Sequence, residues 1–369
     1  MRVLTFLHSF EPGGVERVAL RLNHEWLSDQ VDALVVMGRT EGAMADQAMG
    51  IPYHILSSGK VATAWWETLW MIMTLPRFIR KHRPDVLFCA GNSYSIVAVA
   101  MKFILGKQCP PVVAKISNDL ARRDMPPPVR WAYHKWCRMQ GRFIDHFVGM
   151  AGPTHGEICS AMAVDASCVS VIHDPAISSA DIRLVDRTPS DDGRHFISAG
   201  RLSSQKNFAL LIDAFAQARQ PMDRLTIYGE GPDRASLERQ ISRLGLAGQV
   251  DLPGFVPSIS AKLEAADIFV LSSDYEGVPA VVIEALAVGL PIVATDCSIS
   301  MGDLLDHGTL GTLVTPGDRK ALATAMANTQ RDPQKRAERR AKAAEFTVER
   351  AASAYVELFR LISNIRRSD

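Results

Sequence analysis

Two basic side chains lie close together on a loop that follows the apolar residues 196–199. Arg201 and Lys206 are five positions apart, and Gly200 begins the loop. Arginine offers a planar fork of donors and lysine a movable point charge, which suits a diphosphate leaving group that gains negative charge. The alternative is a solvated loop with ordinary surface cations. The pattern indicates a candidate phosphate site.

Two glutamates eight positions apart, Glu276 and Glu284, form a second candidate group. Glu276 is predicted on a loop and Glu284 inside an apolar helix, where a carboxylate requires partners. Sugar hydroxyl groups would satisfy such a carboxylate. The free N–H groups between Gly277 and Ala280 could meet phosphate oxygens, and Val278 and Pro279 belong to the same segment. The alternative is a structural glutamate bonded to a neighbouring loop.

Glycines mark two further turns. Gly13 and Gly14 precede a predicted helix, and without a Cβ they would let its N–H groups and dipole approach a phosphate. The apolar run 225–228 is followed by Gly229, Glu230, Gly231 and Pro232. The glycines of this second turn would allow a ring or a ribose to lie against the backbone. A tight strand-to-helix turn is the alternative at both places.

The elements that position these residues alternate between strand and helix. Short apolar runs at 3–7, 33–37, 86–90, 112–116, 146–149 and 169–172 are separated by helical patterns such as 15–27 and 68–82. The same alternation recurs from residue 196 to residue 294. It predicts two doubly wound α/β units with parallel sheets, in which ligands bind beyond the carboxyl ends of the strands.

The domain boundary is predicted at residues 179–194, which are rich in Ser and Asp and show no apolar period. The prediction assigns 1–178 to an amino-terminal domain and 195–352 to a carboxyl-terminal domain. Residues 353–369 form a predicted helix that packs back on the first domain.

Composition excludes several classes of protein. The chain has 369 residues, 47% apolar and 22% charged, as expected for a folded protein of two domains. A formal net charge of +1 argues against a nucleic-acid partner. The six cysteines lack metal-ligand spacing, and no apolar run suits a secretory signal or a membrane span. We therefore expect a cytoplasmic protein.

Together the motifs resemble glycosyltransferase family 4, in matching order over nearly the whole chain and best in the carboxyl-terminal half. The matching residues are Gly13-Gly14 with Glu16 and Arg17, Gly200-Arg201 with Lys206, the Gly229–Pro232 turn, and Glu276 with Glu284. The resemblance implies the GT-B fold, two Rossmann-like domains facing across a cleft. It implies that residues 1–178 bind the acceptor and residues 195–352 the donor. It also implies transfer of a sugar from a nucleotide-diphosphate sugar to a saccharide hydroxyl, with retention at the anomeric carbon.

The resemblance assigns a role to each donor-site residue. Arg201 and Lys206 would hold the diphosphate, Glu276 would bind sugar hydroxyls and Glu284 the ribose. The backbone of residues 229–232 would border the nucleoside, and the glycines at 13 and 14 would complete the phosphate site across the cleft. A UDP-sugar is the favoured donor and a GDP-sugar the alternative. The family needs no metal, so no cofactor is expected.

One departure from the family concerns catalysis. Many members carry a histidine after a central strand of the amino-terminal domain, whereas this chain has Asn118 in that approximate place, followed by Asp119. Asn118 would orient the substrate by hydrogen bonds, and Asp119 is a candidate acid or base. His8 is a further polar candidate, although a structural histidine is the commoner case. In retaining transfer, the leaving phosphate itself can accept the acceptor's proton.

The last hypothesis is that part of the chain binds a membrane surface. Residues 1–180 hold 18 Lys and Arg against 15 Asp and Glu, and they contain all six tryptophans. Interfacial and basic side chains share a helix flank at Arg130, Trp131, Lys135 and Arg138, and a second such surface combines Trp65, Trp66 and Trp70 with nearby arginines. The acceptor would then be a lipid-linked saccharide. The alternative is an amphipathic core helix with a solvated basic side.

Other functions remain open from the sequence. A nucleotide-sugar epimerase or a phosphorylase would share the twin Rossmann architecture. A catalytically silent binding protein could keep the fold, although it need not retain costly charged groups. Dinucleotide-dependent oxidoreduction ranks last, because the glycine fingerprint and its acidic ribose ligand are not convincingly present.

Overall fold

The structure is a computed structural model that describes residues 1–10, 14–39, 50–56, 67–117, 120–122, 125–182, 193–330 and 332–368. The chain divides into two compact units. The first consists of Met1–Pro175 and Val348–Asp369, and the second of Ala176–Thr347.

The first unit is built on a seven-stranded parallel sheet. Its strands are β1 (Arg2–Leu7), β2 (Asp32–Met37), β3 (Tyr53–Ile55), β4 (Val86–Cys89), β5 (Val112–Lys115), β6 (His146–Gly149) and β7 (Val169–Val171). They lie in the order β3-β2-β1-β4-β5-β6-β7. The intervening helices are α1 (Gly14–Ser28), α2 (Glu67–His82), α3 (Ser95–Leu105), α4 (Pro127–Phe143) and α5 (Thr154–Met162).

The second unit repeats this plan with a six-stranded parallel sheet. Its strands are β8 (His195–Ala199), β9 (Arg224–Tyr228), β10 (Val250–Gly254), β11 (Ile268–Leu271), β12 (Ile292–Thr295) and β13 (Thr312–Val314). Their order is β10-β9-β8-β11-β12-β13. The helices are α6 (Phe208–Ala218), α7 (Arg234–Arg243), α8 (Ser260–Glu264), α9 (Ala280–Ala287), α10 (Met301–Leu304), α11 (Arg319–Asn328) and α12 (Arg336–Ala343).

Both faces of the second sheet are covered, which explains its apolar strands. Phe196 and Ile268 pack with α6, α7 and α11 on one face, while their neighbours Ile197 and Phe269 pack with α9 on the other. Successive strand residues point to opposite faces, so a sheet with helices on both sides requires apolar residues throughout. The predicted pair of doubly wound parallel units is confirmed.

The unit boundaries differ from those expected from the sequence. The backbone N–H groups of Ala176 and Ile177 donate to Phe346 O (3.1 and 3.4 Å), and Ile177 forms a β-bridge with Thr347. These hydrogen bonds place the chain within the second unit from residue 176, although the prediction kept 1–178 in the first. Most of the predicted linker, residues 183–192, lies outside the described residues.

The last helix, α13 (Val348–Ser368), belongs entirely to the first unit. The predicted second domain extends to residue 352, so its last five residues are reassigned. Trp26 of α1 explains the attachment: its Nε1 donates to Ala352 O (3.2 Å) and its ring meets Tyr355 and Phe359 edge-on at 6.0 and 5.3 Å. In the described part of the chain, no helix has both the length and the apolar character needed to cross a membrane.

His146 generates a pH prediction. It is buried at the start of β6 with Nε2 2.8 Å from Ser170 Oγ, and burial lowers its pKa to about 4. The unfolded chain, with a histidine pKa of about 6.5, takes up a proton before the native state does. This contribution is therefore fully present above pH ~6.5 and lost as pH falls towards pH ~4, by at most about 3 kcal/mol.

Replacing His146 should flatten that dependence. We expect His146→Asn to lower stability at neutral pH but to lose less of it than wild type between pH ~6.5 and ~4. Urea unfolding across this range measures the effect. The exposed His134→Asn variant is the control and should keep the wild-type slope. Parallel slopes for His146→Asn and wild type would contradict the assignment.

Candidate functional site

The residues predicted to bind the sugar donor follow three neighbouring strands of the second sheet. The loops after β8, β9 and β11 carry them, and β8 lies between the other two strands. All three strands are parallel, so their carboxyl ends meet at one edge of the sheet. This edge is the candidate site.

Lys206 and Glu276 meet directly at this edge. Lys206 Nζ donates to Glu276 Oε1 at 2.5 Å, and Ser273 Oγ donates to the same oxygen at 2.7 Å. The two charged side chains are only 17% and 11% exposed, so water screens them poorly. The structure thus brings together one cation and one carboxylate that the sequence analysis proposed for different parts of a ligand.

Further hydrogen bonds join the two loops. Ser272 Oγ donates to Lys206 O (2.8 Å), and Gln205 Nε2 donates to Tyr275 O (2.9 Å). Asn207 adopts a left-handed conformation, caps α6 and donates through Nδ2 to Asp274 Oδ1 (2.9 Å). The loop after β11 is therefore tied to the loop after β8 along its length.

Glu276 is also fixed from the side of β12. Its backbone N–H donates to Cys297 O (3.0 Å), and Thr295 Oγ1 donates to Ser273 O (2.6 Å). Burial, with a smaller effect of the Glu276 charge, raises the pKa of the Cys297 thiol to about 12. The thiol is therefore protonated at neutral pH and unsuited to act as a nucleophile.

Glu284 lies on α9, as predicted, in a turn whose neighbours Ile283 and Ala285 are buried. Glu284 itself is half-buried. The residues that lead into the helix are Gly277 and Val278, both half-buried, and Pro279, which is buried. Gly277 O accepts a hydrogen bond from Ser300 Oγ (2.8 Å), which holds the start of α9 beside β12.

The glycines after β9 have a packing role that the sequence did not reveal. A Cβ on Gly229 would lie 1.9 Å from Gly200 O, and one on Gly231 would lie 2.3 Å from Leu202 O. The two loops also exchange backbone hydrogen bonds, from Gly200 N to Tyr228 O and from Leu202 N to Glu230 O, both 2.9 Å. Close backbone contact between the loops is thus sufficient to require both glycines.

Arg201 and Glu230 are more open than Lys206 and Glu276. Arg201 is exposed, and its guanidinium makes no ion pair with any residue that the structure describes. Glu230 Oε1 accepts from Arg234 Nη1 at 2.7 Å, with half of the Glu230 side chain exposed. Pro232 follows on the same loop. Arg201 therefore remains available to a ligand.

The first unit contains the other predicted residues. Gly14 is the first residue of α1, and no described atom lies within 4 Å of a Cβ built there. Gly13, Asn118 and Asp119 lie outside the described residues.

Ser273 and a polar cluster around Tyr94 were missed from the sequence. Ser273 could have been noticed from its position at the end of a strand, three residues before Glu276. The partners of Tyr94 lie 78 and 86 positions away, so no local pattern indicates them.

The predicted membrane residues are on α4. Trp131 is 65% exposed with Lys135 Nζ 5.4 Å from its ring centre; Arg138 is exposed and Arg130 half-buried. On the second predicted surface, Trp70 is half-buried and donates through Nε1 to Leu56 O (3.2 Å). Trp65 and Trp66 lie outside the described residues.

Two protein families match the chain, one over each half. The family described as Glycosyltransferase Family 4 matches residues 12–175, and the family described as Glycosyl transferases group 1 matches residues 184–346. Together they cover most of the sequence.

Individual relatives have more limited matches. An amylovoran biosynthesis glycosyltransferase of Erwinia amylovora, AmsK, is 36% identical over 140 residues, 35% of this chain and 34% of the relative. A lipopolysaccharide core biosynthesis glycosyltransferase of Rhizobium meliloti, LpsE, is 34% identical over 145 residues, 38% of this chain and 42% of the relative. Each match thus spans less than half of the relative's own length.

Among solved structures, HepE of Anabaena in complex with UDP and glucose is similar with a TM-score of 0.79. Its sequence is 22% identical, and the similarity covers 98% of this chain and 99% of HepE. At this identity the similarity concerns the fold.

The packing of the two glycine loops generates a prediction. Gly229 has φ +146°, and its Cβ would clash with Gly200 O, so Gly229→Ala should lower the free energy of unfolding by more than about 1 kcal/mol. Thermal or chemical unfolding measures the change. Gly156→Ala is the control, since that glycine lies in α5 with open space around it and alanine favours helices. Equal stabilities for the two variants would show that the loops do not need Gly229.

Proposed function

Since this chain belongs to glycosyltransferase family 4 and has the GT-B fold, we propose that it transfers a sugar from a nucleotide-diphosphate sugar to a saccharide hydroxyl. The observation that carries this proposal is the Lys206–Glu276 pair at the shared edge of β8 and β11. The names of the relatives support a role in the synthesis of a cell-surface polysaccharide or glycan.

The proposed donor is a UDP-sugar, with a GDP-sugar as the alternative. Lys206 and the exposed Arg201 would neutralise the diphosphate, and Glu276 would accept hydrogen bonds from sugar hydroxyls. Glu284 would bind the ribose. The UDP in the HepE complex supports the choice of nucleotide. The two cations would do the work of charge neutralisation, so we propose that no metal is needed.

The proposed transfer retains the configuration at the anomeric carbon. The bond from that carbon to the diphosphate oxygen breaks, and the acceptor oxygen forms its bond on the same face of the sugar. The acceptor proton passes to the leaving phosphate oxygen, so no protein base is required. Lys206 stabilises the negative charge that develops on the leaving group. Asn118 keeps its predicted positioning role within this proposal, and Asp119 stays the candidate acid or base.

A second proposal concerns the outer surface of the first unit. Exposed apolar side chains occur on three adjacent helices, at Leu69 and Met73 of α2, Ile96, Phe103 and Ile104 of α3, and Val129, Trp131 and Met139 of α4. Phe103 is 78% exposed. Basic residues accompany them on α4, which favours an anionic bilayer over a neutral protein surface. We propose that this surface rests on the inner face of the membrane and presents a lipid-linked acceptor.

The donor proposal predicts distinct effects of three variants. Lys206→Met should reduce turnover about 10²- to 10³-fold, because it removes the cation that stabilises the leaving phosphate. Glu276→Gln should reduce turnover similarly, because it weakens the hydrogen bonds accepted from the sugar hydroxyls and leaves Lys206 without its charged partner. Glu284→Gln should act mainly on KM, since ribose contacts are shared by substrate and transition state. The assay measures turnover and KM for donor hydrolysis, with water as the acceptor, from the release of nucleoside diphosphate. The donors are UDP-glucose, UDP-galactose, UDP-N-acetylglucosamine and GDP-mannose, each tested with and without EDTA.

The control for these variants is Glu238→Gln, a half-exposed glutamate of α7 that pairs with Arg234. It should retain wild-type turnover. Full activity in all three site variants would refute the donor assignment. Nucleotide binding without any release by the wild-type chain would favour a silent binding protein instead.

The membrane proposal predicts binding that depends on both lipid charge and exposed aromatic side chains. The intact chain should sediment with vesicles of phosphatidylcholine and phosphatidylglycerol, more weakly at high salt, and little with phosphatidylcholine alone. The double variant Trp131→Ser with Phe103→Ser should lose most of this binding. Phe255→Ser, which alters a 68% exposed ring of the second unit, is the control. Equal sedimentation of the double variant and wild type would remove this proposal.

A further inference from the structure

A polar cluster lies at the carboxyl end of β1 in the first unit. The Tyr94 hydroxyl donates to Glu16 Oε1 at 2.6 Å and accepts from the His8 backbone N–H at 3.3 Å. The rings of Tyr94 and His8 also contact each other, with centres 4.7 Å apart. Tyr94 is 1% exposed, so this phenol is a buried link between β1 and α1.

Residues from two further elements surround His8. The N–H of Arg39, which follows β2, donates to His8 O at 3.0 Å, and Arg39 Nε lies 3.3 Å from Glu67 Oε1 at the start of α2. Thr68 Oγ1 lies 3.4 Å from His8 Nε2. That separation is at the long limit for a hydrogen bond, so a better placed hydroxyl could replace it.

Burial keeps the His8 imidazole neutral. Burial lowers the pKa of His8, the Glu16 charge opposes this effect, and a smaller effect of the Arg39 charge adds to it. Burial and the Glu16 charge raise the pKa of Tyr94, which keeps its proton and donates it. A neutral imidazole has one donor and one acceptor, which match the two capacities of a sugar hydroxyl.

An anionic ligand is less suited to this place. Glu16 lies in the first turn of α1, and Tyr94 fixes its carboxylate there. This negative charge offsets the positive end of the helix dipole, and the Arg39 charge is shared with Glu67. A phosphate at His8 would therefore meet a fixed carboxylate, whereas a neutral saccharide would not.

We propose that His8 binds a hydroxyl group of the saccharide acceptor, and that Tyr94 and Glu16 are positioning residues that hold His8 for it. This inference rests on the proposed glycosyltransferase function and names a neutral, hydroxyl-bearing end of the acceptor. The cluster lies at the carboxyl end of a parallel strand, where such sheets bind ligands.

The test observes His8 directly in the full chain. Histidine is labelled with ¹⁵N, the His8 ring signals are assigned with His8→Gln, and the methyl glycosides of glucose, galactose, mannose and N-acetylglucosamine are added in turn. At least one glycoside should shift the His8 signals in a saturable way. His82 is the internal control, because it also stacks on an aromatic ring, that of Phe78, but at the end of α2.

Variants of Tyr94 and Glu16 test the positioning roles separately. Tyr94→Phe keeps the ring contact and removes the hydroxyl, and we expect it to weaken glycoside binding about 3- to 10-fold. Glu16→Gln should weaken binding similarly and lower the pKa of His8 further, because the opposing carboxylate charge is lost. A Glu16→Gln variant with a lowered His8 pKa but wild-type glycoside binding would contradict the positioning role of Glu16.

The outcomes separate this inference from the function on which it rests. A His8 shift with inorganic phosphate in place of the glycosides, or no shift with any glycoside, would overturn the acceptor assignment. Donor hydrolysis by the wild-type chain tests the glycosyltransferase function independently. A chain that hydrolyses donors but shows no glycoside effect at His8 would retain the function and lose the inference.

Discussion

Helices cover both faces of the parallel sheets in this protein, and this covering restricts reactive side chains to the ends of the strands. Every residue of β11 is buried, and the first polar side chains after it are Ser272 and Ser273. In the first unit, Val3 to Leu7 are buried and His8 is the first titratable residue beyond the strand. Parallel strands that alternate with helices leave no open sheet face for a ligand, so reactive groups collect where the strands end.

The buried ion pair between Lys206 and Glu276 determines the energetics of the strand ends in the second unit. Lys206 and Glu276 each lose hydration, and each compensates the other while Ser273 supplies a further hydrogen bond. A pair of this kind adds little net stability, but removing one partner leaves an uncompensated buried charge. Under the proposed function, a sugar nucleotide replaces both partners at once, with phosphate oxygens for Lys206 and hydroxyls for Glu276. A bare nucleotide or a free sugar would replace only one of them.

Much of the fold and part of the site follow from local sequence patterns. Helix α1 was predicted at 15–27 and found at 14–28, and Lys206 and Glu276 were selected from loops that do meet. Periodicity and strand-end position are local properties, so they can be read from consecutive residues.

What could not be predicted depends on distant neighbours. The Gly229 backbone fits against Gly200, and the indole of Trp70 donates to Leu56 O. The packing of residues 353–369 on the first unit was predicted, but the contact of Trp26 with Ala352, which places residues 348–352 there as well, was not. The Tyr94 cluster was invisible for the same reason, because its members come from separate strand ends and helices.

The two units differ in whether an acidic residue lies in the first turn of the helix. The first turn of α9 contains no acidic residue, and Glu284 comes only in its second turn. The first turn of α1, by contrast, contains Glu16. Helix N-termini attract anions unless a carboxylate already offsets the dipole. If the proposed function is correct, this difference favours the phosphates of the donor in the second unit and the uncharged hydroxyls of the acceptor in the first.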